Sequence, residues 1–368
     1  MKILHIGNLK SGIDTYVRNT VSIFDERFDF VIVNGADDNN EPYIRKGKVI
    51  KNYHISMYRS LNPINDIKAI YQAVKIIQKE KPDVIHCHSA KGGIIGRFAG
   101  FITGVTTFYT PHAFSFLSAK SRKKRLIFLI FEKIARLNSK MIACSESEKK
   151  LGINVIHYNN KKAFVWNNAI KNITESDIVI PRNIDSSERF IISIGRPSYQ
   201  KNPLFMVRVI NLVHQKNPEI KFYMVGVGFY SPMLDEMKKL IKEYNLEKVI
   251  ILVPWLSRAE TLGYLKMSAL YLTTSLYEGL PIAVLEAMAL GKVIISSDVI
   301  GNKDCVKDSY NGFLLQMDES EFANKIIILL NDENKIAEMG NNSLKYFKSD
   351  FLIDNRIKDL ENIYLNNK

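Results

Sequence analysis

Short apolar runs alternate along the chain with longer stretches in which apolar residues recur at helical spacing. In the first half, the runs that predict strands cover residues 1–7, 28–35, 83–89 and 105–114. The stretches that predict helices cover residues 62–82, 92–104 and 125–139. Strands and helices that alternate in this way predict a parallel, doubly wound α/β sheet.

The same alternation restarts after a polar connector, so the chain predicts two domains. We expect a first Rossmann-like domain over residues 1–172, a linker over 173–187 and a second Rossmann-like domain over 188–345. A charged helix over 346–368 is expected to pack back towards the first domain. The predicted α/β architecture is two parallel sheets that face each other across a cleft, where the strand ends bind ligands.

The two halves differ in charge. Residues 1–172 carry 28 Lys and Arg against 13 Asp and Glu, whereas residues 173–368 carry 23 against 25. The first half therefore has a net charge of +15 and the second of −2, which together give the +13 of the whole chain. Anionic partners of such a basic half could be nucleic acid, phospholipid or a diphosphate-linked substrate.

Three features predict a cytoplasmic protein. The first residues, MKILHIG, predict a strand and a turn rather than a cleavable leader. No apolar run approaches the roughly 20 residues that a membrane-spanning helix needs. Cys87, Cys144 and Cys305 lie far apart and fit neither a disulfide framework nor a zinc site. The expected location is the cytoplasm, with the inner face of the cell membrane as a place of contact.

The stretch LYEGLPIAVLEAMALG, residues 276–291, follows an apolar run that predicts a buried strand. Pro281 and the Ala-, Leu- and Met-rich residues after it predict a helix that ends at a glycine. Glu278, Gly279 and Leu280 then lie in the turn between strand and helix, where free N–H groups and the helix dipole attract anions. A carboxylate in such a turn suits a ligand that carries hydroxyl groups as well as phosphate.

Two cations follow the strand that opens the second half. Arg196 and Lys201, in GRPSYQKNP, could together hold a diphosphate, although a solvated loop is the alternative. Gly12 follows the first strand, where a glycine lets the backbone approach a phosphate. Most strand-to-helix turns contain a glycine, so this residue alone is a weak signal. The G-x-G-x-x-G fingerprint is missing from both halves, which argues against NAD.

Histidines follow two strands of the first half. His86 and His88 alternate on one strand and so share a face, but with no third ligand in view they do not predict a metal site. His112 lies past the end of another strand, in YTPHAFSF. It is either a structural histidine or a cleft residue that takes part in the chemistry.

The segment SRKKRLIFLIFEKIARL, residues 121–137, joins four consecutive cations to an apolar-rich helix. It predicts either a helix packed on the sheet with a solvated amino end or a contact with an anionic membrane. We favour the membrane, because an anionic leaflet attracts clustered cations. Nucleic acid is not an expected partner, because the other cations are dispersed and no nucleic-acid-binding motif occurs.

Several of these motifs together resemble the retaining glycosyltransferases of the GT-B fold, family 4. SLYEGLPIAVLEAMALG is similar to the family's E-x7-E segment, with Glu278 and Glu286 as its two acids. ISIGRPSYQKNP resembles its arginine–lysine loop, and the stretches around His88 and His112 resemble its first-domain loops. The chain departs from the family pattern at Val227, Ala169 and Asp304, where a small acidic residue, glycine and glutamate are usual.

The resemblance implies a nucleotide-sugar donor, with UDP expected, on the second domain and an acceptor on the first. Glu286 would bind the ribose, Arg196 and Lys201 the diphosphate, and Glu278 with the N–H groups of Gly279 and Leu280 the sugar and phosphate. Val253 and Pro254 would flank the base. Gly12 and His112 would approach the diphosphate and the sugar from the first domain, where His88 would also bind substrate. Glu278 and His112 are the expected catalytic residues, without a metal, a cofactor or a protein base.

The expected reaction is therefore transfer of a hexosyl or N-acetylhexosaminyl group to a lipid-linked or other glycan acceptor during surface-polysaccharide assembly. A nucleotide-sugar 2-epimerase of the same fold is one alternative, and it would isomerise the donor without any acceptor. A non-catalytic basic scaffold or nucleic-acid binder is the other, and it would bind DNA in a salt-dependent way without binding a nucleotide sugar.

Overall fold

The computed structural model describes residues 1–10, 12–37, 41–58, 60, 62–182, 184–185, 187–228 and 230–368. Its contacts divide the chain into two compact domains. Domain 1 comprises Met1–Lys171 and Ile353–Lys368, and domain 2 comprises Asn172–Leu352. The segment predicted as a linker thus belongs to domain 2, where the Val179 N–H donates to the Ala259 carbonyl at 3.0 Å.

Domain 1 contains nine strands and six α-helices among its described residues. The strands are β1 Lys2–Ile6, β2 Asp29–Gly35, β3 Ile44–Arg45, β4 Lys48–Val49, β5 Lys51–Ile55, β6 Val84–His88, β7 Thr106–Thr110, β8 Lys140–Ala143 and β9 Ala163–Val165. The helices are α1 Gly12–Ile23, α2 Pro63–Glu80, α3 Ser89–Thr103, α4 Arg122–Ala135, α5 Glu146–Leu151 and, from the end of the chain, α13 Ile353–Asn366.

Seven of these strands form one parallel sheet in the order β5-β2-β1-β6-β7-β8-β9. The strand order reverses between β1 and β6, which makes the carboxyl ends of these two strands the crevice where such sheets bind ligands. Glycines bring α3 close to this sheet. A Cβ on Gly93 would lie 2.3 Å from the Tyr109 ring, and one on Gly96 would lie 2.3 Å from the Cys87 sulfur.

The region predicted as one helix over 346–368 contains a break. The helix α12 spans Glu333–Asp350 in domain 2, and α13 starts after Phe351 and Leu352. In domain 1, Ile357 and Leu360 of α13 lie in the core, and the Trp166 indole N–H donates to the Arg356 carbonyl at 2.9 Å.

Domain 2 repeats the strand and helix alternation. Its strands are β10 Phe190–Ile194, β11 Lys221–Val227, β12 Ile250–Pro254, β13 Leu270–Thr273, β14 Val293–Ser297 and β15 Gly312–Leu315. Its other helices are α6 Pro203–Lys216, α7 Leu234–Glu243, α8 Arg258–Met267, α9 Ile282–Ala289, α10 Asn302–Cys305 and α11 Glu319–Leu330.

The six strands of domain 2 form a parallel sheet in the order β12-β11-β10-β13-β14-β15. The order reverses between β10 and β13, so the loops that follow these two strands meet at the crevice. The prediction of two parallel, doubly wound sheets is confirmed. None of the described helices combines the length and apolar character that crossing a bilayer requires.

Candidate functional site

The carboxylate of Glu278 is buried and accepts three side-chain hydrogen bonds. Its Oε1 atom accepts from Nζ of Lys201 and from Oγ of Ser275, each at 2.8 Å, and its Oε2 atom accepts from Nε2 of Gln200 at 2.9 Å. These donors come from the loop after β10 and the end of β13, on either side of the reversed strand order. The carboxylate is therefore fixed in direction and balanced by a cation, which accounts for a negative group at an anion-binding turn.

The turn after Glu278 leads into the amino end of α9. Gly279 and Leu280 are buried, and Pro281 immediately precedes the helix, which starts at Ile282. The first N–H groups of a helix lack partners within it, so this end of α9 offers donors and a positive dipole to an anion.

The loop after β14 covers the same turn. Gly301 has φ +87°, and a Cβ there would lie 2.8 Å from both the Glu278 Cβ and the Gly279 carbonyl oxygen. Asp304, where the family usually has glutamate, accepts from the Gly301 N–H at 3.2 Å and so holds this loop. Glycine at position 301 thus allows the close approach on which the turn depends.

Arg196 is half-buried at the end of β10, directly after Gly195, whose φ is +138°. Gly226, with φ +101°, lies against Gly195. The glycine turn at the end of β11 therefore packs against the arginine–lysine loop, and Val227 beside it is half-buried.

Glu286 lies on α9, about one turn after the helix begins, and pairs with a residue that the sequence did not single out. Its Oε1 atom is 2.8 Å from Nε of Arg258, the first residue of α8. Burial raises the pKa of Glu286, and the nearby guanidinium of Arg258 acts in the opposite direction. Val253 and Pro254, predicted to flank a base, end the edge strand β12, with Val253 buried and Pro254 exposed.

Ser275, Gln200 and Arg258 were thus missed from the sequence. Ser275 stands three residues before Glu278, a spacing common when a hydroxyl and a carboxylate share a turn. Gln200 precedes Lys201 directly, so its position in the same loop was a usable signal. Arg258 and Glu286 are far apart in sequence, and only the packing of α8 on α9 brings them together.

In domain 1, His88 and His112 belong to a buried chain of hydrogen bonds. Nδ1 of His88 is 3.1 Å from Nε2 of His112, and Nε2 of His88 is 2.9 Å from Nδ1 of His5. Nδ1 of His112 is 3.3 Å from the sulfur of Cys144. Both ring nitrogens of His112 therefore have partners within domain 1. Burial lowers the pKa of His5, His88 and His112, which favours the neutral imidazoles that such a chain needs.

The structure also supplies the third histidine that the sequence did not reveal. Ring nitrogens of His5, His86 and His88 lie within 4.8 Å of one another. The Thr110 hydroxyl donates its proton to the Ile142 carbonyl, so it accepts a hydrogen bond from Nε2 of His86 at 2.7 Å. With its proton on Nε2, His86 accepts at Nδ1 from the hydroxyl of Tyr364 at 2.6 Å. A metal ion would have to break these bonds, so the cluster is better explained as a hydrogen-bonded core.

The loop that carries His112 has an unusual backbone. His112 has φ +51° and Ala113 has φ +76°, a left-handed conformation that costs about 1 to 2 kcal/mol for a residue with a Cβ. The buried carboxylate of Glu148 bridges this loop to the next strand, because it accepts from the Ala113 N–H at 2.7 Å and from the Cys144 N–H at 2.8 Å. Gly12 is the first residue of α1 and is exposed.

The chain is similar in sequence to known glycosyltransferases over most of its length. The chain is 27% identical over 327 residues, covering 84% of this chain and 82% of the relative, to the UDP-Gal:alpha-D-GlcNAc-diphosphoundecaprenol alpha-1,3-galactosyltransferase of Escherichia coli. It is 25% identical to the capsular polysaccharide biosynthesis glycosyltransferase CapM of Staphylococcus aureus, over 86% of this chain and 87% of that protein.

Solved structures of the same fold cover nearly the whole chain. Sucrose-phosphate synthase from Thermosynechococcus elongatus matches 100% of this chain and 98% of its own with a TM-score of 0.84 and 16% identity. Anabaena HepE in complex with UDP and glucose matches 98% of both chains with a TM-score of 0.79 and 19% identity. At these identities the likeness establishes the fold.

Family models account for both halves of the chain. Residues 10–171 match the model described as Glycosyltransferase Family 4, and residues 176–346 match the model described as Glycosyl transferases group 1. With the two parallel sheets and the relatives in polysaccharide biosynthesis, these matches show that the chain belongs to the family 4 glycosyltransferases of the GT-B fold.

Proposed function

We propose that the chain is a retaining, metal-independent glycosyltransferase that moves a hexosyl or N-acetylhexosaminyl group from a UDP-sugar to a lipid-linked or other glycan acceptor in surface-polysaccharide biosynthesis. The observation that carries the proposal is the Glu278 carboxylate, held by Lys201, Gln200 and Ser275 at the amino end of α9. It combines an acceptor for sugar hydroxyls with a cation and helix N–H groups for phosphate.

Sugar transfer builds up positive charge on the sugar ring and negative charge on the leaving diphosphate. In the proposed mechanism, Arg196, Lys201 and the N–H groups of Gly279 and Leu280 stabilise the diphosphate. Glu278 positions the sugar, and no metal, resident cofactor or protein base is required.

The remaining site residues have proposed roles on the two domains. On domain 2, Glu286 receives the ribose, and Val253 and Pro254 flank the base. On domain 1, Gly12 and His112 serve the diphosphate and the sugar, and His88 serves substrate binding. Because both ring nitrogens of His112 are already hydrogen-bonded, His112 would act through the carbon atoms of its half-buried ring or through its backbone.

The names of the relatives support the choice of donor and acceptor. The Escherichia coli relative uses UDP-Gal and a sugar linked through a diphosphate to undecaprenol, and the Anabaena structure contains UDP. A diphosphate on a membrane lipid also suits the net charge of +15 in residues 1–172.

The helix α4 supports a peripheral contact with an anionic membrane through residues 121–137. Its buried face carries Glu132, which pairs with the buried Arg97 at 3.0 Å. Its outer face presents five large apolar side chains that are each 46–57% exposed, namely Leu126, Ile127, Ile130, Phe131 and Ile134. A helix that packs only against its own domain normally has the reverse arrangement, with its apolar stripe buried.

Cations flank this apolar stripe. By helical spacing, Arg122 and Lys133 lie along one side of it and Lys124 along the other. The neighbouring α3 adds the exposed Phe101 and Ile102. An apolar stripe between cations is the arrangement of helices that lie in the surface of an anionic bilayer. The proposal therefore places the enzyme at the inner face of the cell membrane, without a nucleic-acid partner.

The transfer reaction is tested with a panel of radiolabelled UDP-sugars and a polyprenyl-diphosphate-linked sugar as acceptor. We expect one donor to label the acceptor, and Glu278→Ala to abolish that labelling. Glu319→Ala, which removes a carboxylate of domain 2 outside the site, should transfer normally. Near-normal transfer by Glu278→Ala would remove its catalytic assignment.

An isomerised sugar formed without acceptor would instead identify an epimerase, and salt-dependent DNA binding without any UDP-sugar turnover would identify the basic scaffold.

Membrane contact is tested by sedimentation with vesicles that contain phosphatidylglycerol. A variant with Arg122, Lys123, Lys124 and Arg125 replaced by glutamine should stay in the supernatant, and so should Ile130→Asn combined with Phe131→Asn. The matched control replaces Lys149 and Lys150, which are cations elsewhere on the same domain, and should sediment like the wild type. Equal pelleting of all variants would defeat the membrane proposal and leave the transferase proposal intact.

A further inference from the structure

The guanidinium of Arg258 is placed against Glu286 by a well-fixed stretch of backbone. Ser257 caps α8 by accepting from the Glu260 N–H at 3.3 Å, and Glu260 accepts in return from the Ser257 N–H at 2.9 Å. Arg258 is the next residue, and its Nε reaches Oε1 of Glu286 at 2.8 Å. The side chain of Arg258 is 45% exposed, whereas that of Glu286 is 9% exposed.

This contact leaves most of the accepting capacity of Glu286 available. An ionised carboxylate has about four lone-pair sites, of which Arg258 uses one. A protonated carboxyl would instead carry a hydroxyl and accept fewer bonds. Burial favours the protonated form of Glu286, and Arg258 is the charged group that opposes this among those described around it. Tyr271 on β13 also interacts electrostatically with Glu286, and burial raises the pKa of Tyr271, so this side chain remains neutral.

We propose that Arg258 is a positioning residue for the nucleoside part of the donor, because its hydrogen bond orients Glu286 so that the carboxylate can accept both hydroxyls of a ribose. This inference rests on the proposed function, which places a nucleotide sugar on domain 2. It adds a residue that lies on a different helix from Glu286 and touches the carboxylate rather than the ligand.

A simple structural ion pair between α8 and α9 is the alternative, and it makes different predictions. A structural pair would change the melting temperature of Arg258 variants but would affect all nucleotides equally. If Arg258 has a positioning role, its replacement would lower the affinity for ligands that carry both ribose hydroxyls more than the affinity for ligands that lack one. It would also make binding depend on pH, because a carboxyl that has lost its cation is protonated more readily as the pH falls.

The experiment is calorimetric titration of the full chain with UDP and with 2′-deoxy-UDP between pH 5.5 and pH 8, on wild type, Arg258→Met, Arg258→Lys and Glu286→Gln. We expect Arg258→Met to lower the affinity for UDP at least about tenfold at neutral pH, which is the effect of losing one charged hydrogen bond. The affinity should fall further at acidic pH. The loss for 2′-deoxy-UDP should be smaller. Arg258→Lys should restore part of the affinity, and Arg258→Met should add little to Glu286→Gln.

The matched control is Arg208→Met, which removes an arginine–glutamate pair with Glu319 in the same domain. It should bind both nucleotides like the wild type. Equal weakening of UDP and 2′-deoxy-UDP by Arg258→Met, or no weakening, would overturn the inference while leaving the proposed function in place. If UDP, GDP and ADP all fail to bind the wild type, the proposed function fails and the inference fails with it.

Discussion

The Nζ atom of Lys201 lies 2.8 Å from Oε1 of Glu278, so the two charged groups expected to hold different parts of the donor also hold each other. The pair is largely buried, and removal of one partner leaves the other charge without compensation. We expect Lys201→Met to cost about 2 to 4 kcal/mol of unfolding free energy, measured by denaturant titration. It should also lower transfer.

A double-mutant cycle measures the coupling free energy between Lys201 and Glu278 apart from the contacts that each makes with other residues. Lys201→Met combined with Glu278→Gln should cost less stability than the two single changes added together, because neither charge is then left alone. Additive costs would mean that Ser275 and Gln200 compensate Glu278 without Lys201.

The buried pair of Arg97 and Glu132 ties α3 to α4 beneath the exposed apolar stripe. Glu132 also accepts from the Tyr109 hydroxyl at 3.0 Å. We expect Glu132→Leu to cost about 3 to 5 kcal/mol, because it leaves a buried guanidinium unpaired. Arg97→Met combined with Glu132→Leu should recover most of that loss. Thermal unfolding monitored by circular dichroism measures both, and a double variant less stable than Glu132→Leu would contradict the explanation.

The sequence was most informative where one segment determines its own structure. The apolar runs predicted the buried strands, and Pro281 predicted the start of α9 to within one residue. The edge strand β5 was missed because three of its five residues, Lys51, Asn52 and His54, are polar and it contains no continuous apolar run. The short hairpin of β3 and β4 was missed for the same reason.

Residues that act through distant partners were harder to predict. Glu278 and Lys201 were singled out because each lies in a loop that follows a strand, but their mutual contact depends on β10 and β13 being neighbours in the sheet. His5 and His88 are 83 residues apart along the chain, and a lone histidine in an apolar strand carries no sign of its partner. Sheet order is a property of the whole domain, so local patterns did not reveal it.

The Glu148 bridge predicts a selective loss of activity. Glu148→Gln replaces an oxygen that accepts from Ala113 or Cys144 with an amide that cannot accept, so the left-handed pair at His112 and Ala113 should relax. We expect kcat for transfer to fall at least about tenfold, the effect of one misplaced contact, while calorimetric UDP affinity is unchanged.

The control for this bridge is Ser145→Ala, which removes the cap of α5 but leaves Ala113 bonded to Glu148. It should lower stability by about 1 kcal/mol with little change in kcat. Equal losses of kcat in both variants would mean that Glu148 only stabilises the helix. The Ala113 amide proton, observed by NMR, should shift upfield in Glu148→Gln alone.

The buried histidines predict that stability falls with acid. Burial lowers the pKa of His5 to about 3 and lowers those of His86 and His88 from the ordinary 6.5, so in this range the unfolded chain binds protons that the folded chain does not. Unfolding free energy should therefore decrease as the pH falls from about 6.5 towards 3, by about 1.4 kcal/mol per pH unit for each such histidine.

Denaturant titrations across this pH range measure how steeply the unfolding free energy depends on pH. His5→Asn, whose amide can still bond to His88, should reduce the slope by about one third, because one of the three buried histidines is then absent. An unchanged slope in His5→Asn would mean that His5 is already protonated in the folded protein.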